Sequence, residues 1–361
     1  MNMPWNIDLV NMPGFGRAME RVYAWYEGEM LDRPPIRFSR HNADFDNVDA
    51  CGRTWPTLKD RWMDAPYQIE KFEASIRGKT FHAETFPVFW PNLGPNVFAA
   101  CYGMPYIFGE VTAWTEPIIE ALANDYIPKI DWRHPYIKKL DELTNLALER
   151  AGAHYLVGYT DMHPGIDCVA AWRGSEQLLY DLVDGPEAIE RLCTANEQDF
   201  LCFYDHYDHM LKKHQQLSAT WMNIPSFGKM HIPSCDFSSM ISTADFKRIA
   251  YDAIAKECER MDHNIFHVDG KGVARHLDVI LSLPNLHGIQ WVQGVGADAP
   301  MLQWAPLIER VQKAGKGVVV DVAPAELDSF MKALSPKGLY LCIAAESEEE
   351  ELRIIERVEK W

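Results

Sequence analysis

The second half of the chain alternates short apolar segments with amphipathic ones at roughly 25-residue spacing, the rhythm of strand and crossover helix. Segments 264–269, 287–292, 317–322 and 339–344 are apolar runs bounded by glycine, proline or polar turns. Between them, 300–314 and 324–334 read as helices, and a last helix begins at Ser347. Parallel strands joined by right-handed crossovers leave few topologies open. Counting back, 35–38, 86–90, 155–159 and 219–222 bring the strands to eight. The fold expected is α/β: a single (β/α)8 TIM-type barrel over residues 1–361, with an N-terminal helical extension (1–32) and insertions. A length of 361 residues suits a barrel with insertions.

The first half is less regular. Residues 16–30 read as a helix with Met19, Val22, Tyr23 and Tyr26 on one face. Pro34 and Pro35 force an extended entry into the first strand. Arg33, Arg37 and Arg40 in that stretch either hold a carboxylate or pair with the acidic surface. The aromatic stretch Phe98–Trp114 either lines an apolar pocket or is plain core. Gly185-Pro186 opens a helix running to about His214, and Thr243 reads as the cap of a helix to Met261.

A net charge of -17 argues against nucleic-acid partners and against an anionic membrane surface. Attraction for an anionic substrate must therefore be local. The eight cysteines, Cys51, Cys101, Cys168, Cys193, Cys202, Cys235, Cys258 and Cys342, include no Cys-x-x-Cys pair. No apolar run reaches membrane-spanning length, and the first residues lack the pattern of a signal peptide. A reduced, cytoplasmic protein is expected, its cysteines free thiols or metal ligands.

The segment His263–Gly270 carries the strongest chemical signal. Side chains alternate along a strand, so His267 and Asp269 share a face at its polar end. Gly270-Lys271-Gly272 then leads into an apolar-periodic helix. In a barrel, His267, Asp269, Gln290, Asp321 and Cys342 fall near the C-terminal ends of strands. Asp161 with His163, and Cys235 with Asp236, fall in the loops that follow the third and fourth. Imidazole, thiolate and carboxylate together suit zinc with an open coordination position. The plain alternative is that His267 and Asp269 bond each other and that Cys342 is a small buried hydrophobe.

These pieces resemble the uroporphyrinogen decarboxylase superfamily. The matching stretches are Arg33-Pro34-Pro35 with Arg40, Leu156–Tyr159 through Gly174, Cys235–Thr243, Phe266–Gly270 and Lys337-Gly338-Leu339-Tyr340, within roughly residues 30–360. The resemblance implies a barrel, often a homodimer, with the site in its mouth. Decarboxylases of this superfamily bind a tetrapyrrole without metal, through arginines after the first strand, an aspartate after the second and a histidine after the last. Here Arg40 matches the first arginine, but Asp44 follows four residues on, Trp90–Gly94 lacks the aspartate, and the last strand carries Cys342. The corrinoid-dependent methyltransferases bind zinc through His-x-Cys and a distant cysteine. His267 and Cys342 match two of those ligands, and Asp269 replaces the middle one.

The expectation is methyl transfer with a corrinoid protein or small methyl donor. Its zinc ligands are His267, Asp269, Cys342 and Cys235. Asp236, Asp269 and His267 are the reactive groups, with Asp236 an alternative fourth ligand. Arg37, Arg40, Lys271, Gln290, Asp161 and His163 are expected to hold substrate. The alternatives are a decarboxylase acting on another carboxylated substrate, and a non-catalytic tetrapyrrole- or corrinoid-binding barrel.

Overall fold

The computed structural model describes residues 4–49, 52–119 and 127–361. Cys51 and the first three residues of the expected extension lie outside them. Ten strands are described: β1 (Ile36–Ser39), β2 (Val88–Phe89), β3 (Tyr106–Phe108), β4 (Ala113–Thr115), β5 (Leu156–Val157), β6 (Met230–His231), β7 (His263–Asp269), β8 (Gly288–Val292), β9 (Gly317–Asp321) and β10 (Leu339–Ala344). Six of them form one parallel sheet in the order β1-β10-β9-β8-β7-β6. A parallel pair, β2-β5, and an antiparallel hairpin, β3-β4, stand beside it. The architecture is thus mixed α/β around a six-stranded parallel sheet.

The main strands are buried on both faces, as crossover helices require. Ile265, Val319 and Tyr340 point into one apolar cluster; Phe266, Val268, Val318, Val320 and Leu341 point into the other, among the flanking helices. The first cluster is filled from one end by the helix Phe15–Tyr26, whose buried face is Phe15, Ala18, Met19, Val22, Trp25 and Tyr26. Gly288 and Gly317 open β8 and β9, and a methyl on either would come within 2.7 or 2.4 Å of the Trp25 ring. The indole N–H of Trp25 donates to the Gly338 carbonyl at 3.0 Å. The helix therefore closes the N-terminal end of the sheet and leaves the C-terminal strand ends for chemistry.

Two expectations change. The expected fourth strand, 219–222, is a turn: the Asn223 N–H donates to the Thr220 carbonyl, and Asn223 has a φ of 54°. β6 pairs with β7 instead, and Ala219 keeps one sheet-like bond, accepting from the Tyr159 N–H at 2.9 Å. The helix assigned to a Thr243 cap is capped by Ser242, whose hydroxyl accepts from the Asp245 N–H. The long helix Pro186–Lys213 matches expectation closely. In the aromatic stretch, Phe98, Tyr102, Tyr106 and Phe108 are core. The described cysteines are all free thiols. No helix among the described residues is long and apolar enough to cross a membrane.

Candidate functional site

β7 presents His267 and, as its last residue, Asp269. β8 lies alongside with Gln290 opposite His267. The Gln290 Oε1 accepts from His267 Nδ1 at 2.7 Å, which places a proton on Nδ1 and makes Nε2 the ring nitrogen available to a metal. The Trp221 ring meets the imidazole edge-on at 5.3 Å. After β6 the chain turns through Asp236–Met240. That turn is anchored by Asp167, whose carboxylate accepts the backbone N–H groups of Asp236 and Phe237, each at 2.9 Å.

One ligand atom from each of Asp236, His267 and Asp269 lies within 4.8 Å of the others. Desolvation of its carboxyl raises the Asp236 pKa; His267 offsets this and Asp269 adds to it. A divalent cation would relieve the repulsion between the two carboxylates. An imidazole and two carboxylates are a zinc-compatible donor set with room for a further ligand.

The thiols are elsewhere. Cys235 is buried, and burial pushes its thiol well above the ordinary value. Cys342 lies on β10, with β9 and β8 between it and β7, in register with Arg37 and Asp321. Burial raises its thiol to about 11, against the pull of the Arg37 guanidinium. The structure thus gathers His267 and Asp269 with Asp236, and not with Cys342 or Cys235.

Arg37, Asp321 and Cys342 line a cavity of about 390 Å³ at the strand ends, with Ser39, Gln293 and Glu326. Arg40 was the expected anion ligand, but it is committed to Glu351 of the last helix at 3.0 Å. Three residues apart on an extended segment, the two arginines leave on opposite sides, and Arg37 is the one facing the mouth. Lys271 also departs from expectation: it pairs with Asp298 at 2.7 Å and lies over the Trp304 ring.

Asp161 and His163 come together, Asp161 Oδ2 lying 4.0 Å from His163 Nε2. His163 Nδ1 is 2.6 Å from the Ser234 hydroxyl. Burial lowers the His163 pKa to about 4 and raises that of Asp161 to about 8. His163 shares with Asp167 and Asp236 the wall of a cavity of about 420 Å³. A larger cavity, about 710 Å³, is lined by Trp62, Tyr67, Phe72, Trp90 and Trp221. Trp221 and Asp167 escaped the sequence reading. Asp167 stands in the first turn of the helix Gly165–Arg173, while His163 precedes that helix, so no helical spacing marked the pair.

Comparison of the sequence with models of known protein families and with curated proteins finds no match.

Proposed function

We propose that the chain is an enzyme of the (β/α)8 type, its six-stranded sheet completed by β2, β5 and the segments bonded to them, that transfers a methyl group at a divalent-metal site in the mouth. The observation that carries this reading is the cluster of Asp236, His267 and Asp269 at the C-terminal ends of parallel strands. A divalent ion such as zinc held there supplies Lewis-acid activation of a thiol or water nucleophile. Gln290 orients the His267 ring toward that position. Arg37 holds an anionic group of the substrate through its planar fork, and the aromatic cavity beside Trp221 takes the apolar part and excludes water. The methyl donor is a corrinoid-carrying partner protein or a small methylated molecule. The free cysteines fit a reducing cytoplasm. A homodimer is part of the proposal, and sedimentation showing only monomer would remove it.

The test is consumption of methylcobalamin by the zinc-loaded protein with small thiols, followed by cobalamin absorbance. The wild type should demethylate the corrinoid and Asp269→Asn should not. No thiol-dependent change with zinc or other divalent ions would overturn methyl transfer from a corrinoid and leave only a small methylated donor. A second reading rests on Asp161, a buried acid that stays protonated up to about pH 8 beside His163. With Arg37 holding a carboxylate, Asp161 could protonate the carbanion left by decarboxylation, and release of CO2 without metal would favour that reading.

A further inference from the structure

Behind the mouth lies a small polar cavity of about 10 Å³, lined by Thr160, Asp161, His163, Thr220 and His231, among others. Its walls carry buried polar atoms with no hydrogen-bond partner: Thr160 Oγ1, Asp161 Oδ1 and both ring nitrogens of His231. So many orphaned groups around one space are rare in folded proteins, and the volume suits about one water with several polar contacts. His231 is 2% exposed. Its Nε2 lies 3.3 Å from Glu257 Oε2 on the helix Tyr251–Glu259, close but off the hydrogen-bond direction. Glu197 in turn feels the charge of Glu257 and lines an open surface cavity with Lys256 and Arg260. Titratable groups therefore run from the helix surface, through the sheet layer, to the mouth. None of them is needed to hold the proposed metal.

We propose that the cavity holds one internal water linking His231 to Asp161, and that Glu257, His231, this water and Asp161 form a buried proton path from the helix layer to His163 at the mouth. When Asp161 has given its proton to a group at the mouth, neutral Glu257 donates to His231 Nε2. Nδ1–H passes a proton through the water to the Asp161 carboxylate, and the ring is left neutral in its other tautomer. Glu257 is then reprotonated from the side of Glu197. Burial keeps both acids protonated near neutrality, with Glu257 and Asp161 each raised to about 8, and it keeps His231 neutral. The chain is thus loaded at rest. The path serves whichever reaction runs at the mouth, so it stands apart from the methyl-transfer reading.

The experiment is infrared spectroscopy of the full-length wild type, Asp161→Asn, Glu257→Gln and His231→Phe in H2O and D2O at neutral pH, with a crystal structure of the wild type. The wild type should show protonated-carboxyl bands, one lost in Asp161→Asn and another in Glu257→Gln. The near-isosteric Glu257→Gln should also shift the remaining Asp161 band and slow its deuteration, an effect that a merely structural Glu257 would not produce. The crystal structure should show a water within hydrogen-bond reach of Asp161 and His231. An Asp161 band unchanged in frequency and deuteration rate in Glu257→Gln would overturn the path, even if His231→Phe fails to fold. So would a wild type without protonated carboxyls, or a dry cavity.

Discussion

The site depends on β1 holding Arg37 at the mouth, and β1 depends on Glu84. The side chain of Glu84 is 0% exposed and that of Arg33 is 2%. The Glu84 carboxylate accepts from Arg33 at 2.7 and 3.3 Å, from Arg21 at 3.2 Å and from the Ile36 N–H at 2.7 Å. One buried carboxylate thus ties the closing helix to the entry of β1. Replacing it by alanine leaves the backbone N–H of Ile36 without an acceptor and the buried Arg33 guanidinium with only the Pro34 carbonyl, and with no counter-charge. Removing one partner of a buried ion pair destabilises by about 3–5 kcal/mol. Arg21 keeps Asp32, at 2.6 and 2.8 Å, and adds little to the loss. Glu84→Gln retains one acceptor oxygen and should fall at the low end of that range. The assay is urea unfolding, with the midpoint lowered at unchanged slope. The double variant Arg33→Met/Glu84→Leu should recover most of the stability, because the pair's desolvation penalty disappears with both charges. A loss in Glu84→Ala below about 1 kcal/mol, the value of an exposed pair, would refute the reasoning.

Gly317→Ala places a methyl 2.4 Å from the Trp25 ring, and the overpacking should lower stability by about 1–3 kcal/mol in the same assay; a neutral result would mean that the helix does not seat there. Asp161 and Glu257, raised from 3.8 and 4.5 to about 8, bind protons in the folded state that the unfolded chain has released. Their contribution therefore favours folding least at high pH: it declines as pH rises toward 8 and levels off above it. Between pH 7 and 8 the chain should lose about 2 kcal/mol of stability, about 1 from each group, and Asp161→Asn with Glu257→Gln should flatten the slope. A slope unchanged in that pair would contradict the burial argument.

What the sequence reveals of this molecule follows how local each signal is. β7 is a seven-residue run whose last three residues, His267, Val268 and Asp269, alternate out, in, out, so its span and the shared face of His267 and Asp269 are legible. β6 is two residues long and has no period to detect, so the more apolar 219–222 reads as the strand in its place. The choice between Arg37 and Arg40 turns on where β1 ends and on Glu351, 311 residues away in sequence. The choice between Cys235 and Asp236 turns on one residue of register in a turn fixed by Asp167. Cys342 sits near a strand end as expected, but strand order across the sheet, which spacing alone does not encode, separates it from His267.

The central claim is that Asp236, His267 and Asp269 form the metal centre without a thiol. Zinc binding by isothermal titration, with metal content after dialysis, tests it on the wild type, Asp269→Asn, His267→Ala and Cys342→Ser. Wild type and Cys342→Ser should each retain one equivalent of zinc, while Asp269→Asn and His267→Ala should lose it with the fold intact by circular dichroism. Zinc lost in Cys342→Ser but kept in Asp269→Asn, or no zinc bound by the wild type, would contradict the account.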